Sequence, residues 1–140
     1  NMETLWQQAY PSECVIVRPT GIYGTSVTRM IKLAGTTKSY PKLHWSNRIH
    51  VDDLAAFLAH LLHVEHTEKS YICSNSQPLP LHEIMQWFQQ QLGLPVLVLE
   101  SDVPSGKQIY ATRMQQMNFE LQHPHCFDDY LAFLAECESK

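Results

Sequence analysis

The chain has 140 residues, 44% of them hydrophobic and 17% charged, with a formal charge of −4; that composition suits one core-forming globular domain and excludes wholesale disorder. Ten Lys plus Arg scattered between Arg18 and Lys140 build no basic stripe, which argues against a nucleic-acid partner. Apolar stretches such as Leu54 to Leu62 are too short for a bilayer span and no signal-peptide pattern opens the chain, so a cytoplasmic location without membrane contact is expected.

Asn1 directly before Met2 reads as a residue left in front of an initiator methionine. Met2 to Tyr10 has helical composition and is closed by Pro11, which cannot continue a helix. Cys14-Val15-Ile16-Val17 is a continuous apolar, β-branched run, the pattern of a strand buried on both faces of a parallel sheet. Pro19 to Gly24 then reads as a turn at that strand's carboxyl end, where two glycines let the backbone approach a ligand.

A helix is predicted from Thr25 or Ser26 to Ala34, with Val27, Met30, Ile31 and Ala34 inward and Gly35 as its C-terminal cap. Arg48 to Val51 reads as a short strand, and Asp52 as the cap of a helix beginning at Asp53. Leu54, Phe57, Leu58, Leu61 and Leu62 are assigned to that helix's buried face. Ser70 to Cys73 is a second short strand, followed by a turn-rich stretch and a helix from Leu81 to Leu92 closed by Gly93. Val96 to Leu99 reads as a strand, Ala111 to Met117 as a short helix and Phe127 to Cys137 as an amphipathic terminal helix. Strands alternating with helices give an α/β class, the later segments forming a smaller appendage. Cys14, Cys73, Cys126 and Cys137 form no CxxC pair and are expected to be reduced, mostly buried thiols.

Val15-Ile16-Val17-Arg18-Pro19 running into Gly21-Ile22-Tyr23-Gly24, followed by Asn47-Arg48-Ile49-His50-Val51-Asp52-Asp53-Leu54-Ala55, resembles the extended short-chain dehydrogenase/reductase family of NAD(P)-dependent epimerases and dehydratases. The resemblance continues through Ser105-Gly106-Lys107, Arg113-Met114 and Met117-Asn118-Phe119 to Pro124, which look like the family's final lysine- and glycine-containing helix and tail. It implies one incomplete domain over residues 1–140: the carboxyl-terminal part of a Rossmann-like parallel sheet with helices, plus a small α/β substrate-side subdomain.

The family's dinucleotide sits on a Gly-rich turn at a helix start. No three of Gly21, Gly24, Gly35, Gly93 and Gly106 fit that spacing. Its catalytic pair is a tyrosine with a lysine four residues later, the lysine lowering the phenol's pKa. The residues four after the six tyrosines are Cys14, Val27, His44, Asn75, Met114 and Leu134, so no catalytic residue is assigned. In the family that pair lies just upstream of a glutamate like Glu3, which implies a chain that starts after the active-site helix has begun.

By the same resemblance, Pro19, Thr20 and Gly21 are the contacts to the nicotinamide side of NAD or NADP in a full-length parent, and this chain alone is expected to bind neither tightly. Many relatives have asparagine where Gly21 stands. Sugar-nucleotide epimerases carry a diphosphate-binding arginine four residues before the histidine of HVxDL, where this chain has Ser46, with Arg48 two residues before it.

Tyr23 and Arg48 are the candidate substrate-binding residues, for a small molecule of the sugar or nucleotide-sugar kind. Arg48 reads equally as an anion fork or as a local ion-pair partner of Asp52 and Asp53. Asp52 reads as a cap before it reads as an acid. His60, His63 and His66 recur on one helix edge and read as a solvated face, not a metal site. His123 and His125 flank Pro124 and, with no carboxylate or third ligand expected nearby, read as structural tail. Trp87 reads as packed; Tyr23, in the turn, is a better candidate than Trp45 for stacking on a ligand.

Two functions follow. One is a substrate-side fragment of an NAD(P)-dependent epimerase, dehydratase or oxidoreductase, inactive alone. The other is a short non-enzymatic binding or assembly module on the same scaffold. In both, a parallel strand short of neighbours exposes edges that favour self-association.

Overall fold

The computed structural model describes residues 2–9, 15–65 and 67–138; Cys14 and His66, and the side chains of Glu3 and Cys137, lie outside the described residues. Helix α1 (Met2–Ala9) leads to strands β1 (Ile16–Pro19) and β2 (Gly21–Tyr23), helix α2 (Thr28–Thr36), and strands β3 (Ser39–Tyr40), β4 (Leu43–Ser46) and β5 (Arg48–His50). Helix α3 (Val51–Leu61), strands β6 (Ser70–Cys73) and β7 (Leu79–Pro80) and helix α4 (Leu81–Gln91) follow. Strands β8 (Val98–Leu99) and β9 (Pro104–Gly106) and helices α5 (Thr112–Gln116) and α6 (Cys126–Glu138) complete the order.

Parallel pairing dominates, as the continuous apolar run from Cys14 to Val17 implies. β1 pairs with β6, β2 with β5, β3 with β8 and β4 with β9, all parallel; only β4–β7 is antiparallel. The described part of the apolar run is not fully buried: Val15, Ile16 and Val17 are only half-buried, and β6 is the one strand neighbour of β1 among the described residues. The stretch after Pro19 is likewise not only a turn, since its last residues form β2.

Two apolar clusters divide the molecule. Ile49, Phe57, Tyr71, Cys73, Ala111 and Met114 pack α3 and α5 on the strands. Val27 just before α2 and Ala34 within it, Ile84, Met85 and Phe88 of α4 and Tyr130 and Leu134 of α6 belong to the second. Gln89, fully buried in that second cluster, donates to the carbonyls of Ala34 (3.1 Å) and Thr37 (2.9 Å) and accepts from the Leu97 amide (2.7 Å). Three loop and helix-end groups that would otherwise lack partners are thereby satisfied.

Several local assignments differ from the sequence reading. α2 continues through Gly35, and the Thr36 hydroxyl bonds the carbonyls of Lys32 and Leu33, so Gly35 is not the cap. α3 starts at Val51 with His50 as its N-cap: the imidazole Nδ1 accepts the Asp52 amide at 3.0 Å. Asp52 is therefore a first-turn residue whose side chain is exposed. Leu58 and Leu62 point outward and only Phe57 of the proposed face is fully buried. Pro104–Gly106 is a strand, not part of a final helix. Among the described residues no helix is long and apolar enough to cross a membrane.

Candidate functional site

The two motifs that stand apart in sequence are neighbours in space. Gly21 pairs with Arg48, Ile22 with Ile49 and Tyr23 with His50. The bend between β1 and β2 is fixed at Thr20, whose amide and hydroxyl both donate to the Cys73 carbonyl at 3.0 Å, and at Gly21, whose amide donates to Asn47 O at 3.1 Å. Gly24, at φ 110°, has a conformation that suits glycine, and a Cβ there would lie 2.6 Å from His50 Nε2. This position lets the buried imidazole lie against the backbone.

On one side of Tyr23 opens a cleft of about 790 Å³, lined by Gly21, Tyr23, Ser26 and Arg29 from the β2–α2 segment, by Ser46 to Arg48, and by Tyr130. Arg48 is buried in its wall. One guanidinium nitrogen donates to Ser46 Oγ at 2.6 Å and the other reaches Cys126 Sγ at 3.8 Å. Burial raises the Cys126 thiol's pKa, with Arg48 opposing, so the thiol stays neutral. Among the described residues Arg48 thus meets neutral partners and pairs with neither Asp52 nor Asp53, and a buried cation without a counter-charge invites an anion. Lys32 lines the same cleft. Burial pushes the Tyr130 phenol up to about 12, which keeps it a neutral wall residue.

Behind Tyr23 lies a second group that sequence reasoning passed over. The Tyr23 hydroxyl donates to Asp129 Oδ2 at 2.7 Å, and Asp129 Oδ1 meets His123 Nδ1 at 2.6 Å. The His123 ring lies flat on His50, centroids 3.7 Å apart and planes within 9°. Asp53, almost wholly buried, accepts the amides of Gln122 (2.8 Å) and His123 (2.9 Å). His123 is thus not a bare tail residue: Asp129, six residues further on, supplies a carboxylate. His125 is exposed and stands apart.

His50, Asp52 and His123 offer ligand atoms within 4.8 Å of one another. A metal bonds imidazole nitrogen in the ring plane at about 2 Å. Two parallel planes 3.7 Å apart share no such point, and both Nδ1 atoms are already engaged. The rings are built to stack, not to chelate.

The remaining candidates separate. Pro19 is exposed at the end of β1, and of the three nicotinamide-side candidates Gly21 alone lines the cleft. Trp87 packs on Phe88, Phe127 and Tyr130, as expected. Trp45 sits in β4 between Pro80 and Gly106, outside the cleft lining. His60 leans on Phe119 and His63 is exposed. Cys73 and Cys126 are free, buried thiols.

No protein-family model matches the sequence, and no curated protein matches it. Solved structures do. A protein assigned to the NAD-dependent epimerases/dehydratases from Methylobacillus flagellatus is 31% identical, with a TM-score of 0.71 over 96% of this chain and 52% of its own. The chain has the fold of the carboxyl-terminal half of an NAD-dependent epimerase/dehydratase. A dTDP-glucose 4,6-dehydratase from Bacillus anthracis, solved with NAD, matches this epimerase/dehydratase half at 15% identity and a TM-score of 0.71, over 99% of this chain and 49% of that one. A UDP-N-acetylglucosamine 4-epimerase from Bacillus cereus matches it at 12% identity and a TM-score of 0.63, over 93% and 51%. The chain therefore spans about half the length of the structures it matches. The register of β2 on β5 gives the epimerase/dehydratase resemblance its physical content, because it sets RPxxIYG beside HVDDLA.

Proposed function

We propose that the chain is the substrate-side half of an NAD(P)-dependent epimerase, dehydratase or oxidoreductase, and that its cleft holds an anionic small molecule of the sugar or nucleotide-sugar kind. The observation that carries this reading is Arg48, a buried guanidinium on the cleft wall whose described partners are neutral. It touches Ser46, the position at which sugar-nucleotide epimerases carry their diphosphate-binding arginine, so a cation from a neighbouring position reaches the same place. Arg29 and Lys32 add charge at the cleft's margin, and Tyr23 offers a ring face.

Pro19, Thr20 and Gly21 supply an edge on the nicotinamide side only. The Thr20 amide and hydroxyl are committed to Cys73, and the five glycines make no phosphate cradle. In this reading NAD or NADP supplies hydride transfer, held by a Gly-rich turn that this chain does not contain. The chain's own residues bind and orient the substrate, in the cytoplasm, without catalysing alone. β1's single described neighbour supports self-association through the open edge.

Calorimetry with UDP-glucose tests the cleft: binding is expected, and Arg48→Met should weaken it about tenfold or more, the loss of a charge-assisted contact. Equal affinity in the variant would refute the assignment. Turnover of NADH by the chain alone would refute the claim of inactivity, and a clean monomer by light scattering at high concentration would refute self-association.

A further inference from the structure

Tyr23 has two faces of interest: its ring lines the cleft, and its hydroxyl ends a chain of groups reaching α6 and the tail before it. Tyr23, Asp129, His123 and His50 come from three separate stretches, β2, the end of β5 and the segment from His123 into α6. We propose that these four residues form a one-proton latch that fastens the segment around His123, and with it α6, against the wall of the cleft.

The geometry dictates how many protons the stack holds. His50 Nδ1 accepts the Asp52 amide, so that nitrogen carries no hydrogen and the buried His50 ring is neutral with its proton on Nε2. His123 Nδ1 faces a carboxylate oxygen at 2.6 Å, the short distance of a charge-assisted bond, so it donates. A cationic ring on a neutral one at 3.7 Å is favourable; two cations at that distance are not. One proton closes the latch, and a second would break both the stack and the α3 cap.

Among the described residues, every charged group that faces His123 agrees with this assignment. Asp129 from α6 and Asp52 and Asp53 from α3 are acidic, Asp52 Oδ2 lying 3.9 Å from His123 Nε2. Glu136 lines the same small depression. From β2 the neighbour is the Tyr23 phenol, which burial and then Asp129 hold above its ordinary range, so it remains a donor to Asp129. When His123 loses its proton, Asp129 loses its strongest donor. The Tyr23 contact, the backbone bonds to Asp53 and the Asn75 Nδ2 bond to the Pro124 carbonyl then hold the segment without it.

The test is ring-nitrogen NMR on the whole chain between pH 5 and 9, with amide hydrogen exchange at Gln122 and His123. Expected are a His50 ring protonated at Nε2 only and a His123 ring protonated at both nitrogens at the acidic end of that range. Protection of the two amides, exchange taken relative to its intrinsic base-catalysed rate, should fall as His123 titrates, by about tenfold for each unit that its midpoint exceeds 6.5. Asp129→Asn should return the midpoint to the ordinary range and remove the pH dependence of protection, whereas Tyr23→Phe should leave the midpoint raised. A His123 midpoint at or below 6.5, an Nδ1-protonated His50, or pH-independent protection in the unaltered chain would overturn the latch, even if Asp129→Asn failed to fold. The latch stands without the cleft assignment: absence of UDP-glucose binding alongside these NMR results sinks the cleft reading alone.

Discussion

Asp53→Asn should cost about as much stability as Asp53→Ala, in spite of being the conservative change. The native carboxylate accepts one amide on each oxygen, from residues 69 and 70 positions further along the chain. An asparagine offers one acceptor and turns an NH₂ toward the other amide, setting donor against donor. Losing the acceptor of a buried amide costs roughly 1–3 kcal/mol, and bonds to a charged group sit at the upper end. Gln122 is exposed and its freed amide reaches water, so the His123 amide carries most of the loss. About 2–4 kcal/mol follows for either variant, enough to lower a urea midpoint by about 1–2 M. The His50–His123 stack should loosen with it, visible as ring-current changes. An Asp53→Asn midpoint within about 0.3 M of the unaltered chain would refute the claim that both oxygens hold the tail.

Gly35→Ala should stabilise by about 0.5–1 kcal/mol, because Gly35 lies inside α2 with nothing within 4 Å of a Cβ; a lowered melting temperature would contradict this. Gln89→Leu leaves two carbonyls and one amide in the second core without partners and should cost about 3 kcal/mol or more by chemical unfolding. His123 is held above its ordinary 6.5 by its hydrogen bond to Asp129, with burial opposing. Its contribution is therefore complete below pH 6.5 and lost as pH rises through the native midpoint. Thermal melts from pH 6 to 9 should show that decline and His123→Gln should flatten it; with a side chain 30% exposed, screening keeps the effect small.

Helices were legible where apolar residues recur on one stripe, as Ile84, Met85 and Phe88 do, because burial of that stripe drives both sequence and fold. Two-residue strands such as β3, β7 and β8 were not, since backbone pairing of that length leaves no side-chain pattern. β8 was read two residues too long for that reason. The aspartates beside His50 show a different limit: Asp52 has the right chemistry for a cap, yet the chain turns so that the His50 ring takes the amide instead. Asp53 was read as a helix-start residue because its partners lie far along the chain. Gln89 did carry a signal. It stands on the stripe of Met85 and Phe88, where a polar side chain must find buried partners.

The two parts of the proposed function separate along a physical line. The proposed anion binding in the cleft requires one desolvated cation and a shaped wall, and Arg48 and Tyr23 stand on strands that pair with each other. The latch requires only side chains that β2, β5 and the stretch from His123 into α6 bring together. Both therefore depend on contacts internal to this half. Hydride chemistry needs a phosphate cradle and an activated phenol, which no glycine triplet or Tyr-Lys spacing in the sequence provides. Substrate affinity and turnover should therefore part cleanly: adding the nucleotide-binding half should raise turnover while leaving the effect of Arg48→Met on affinity unchanged.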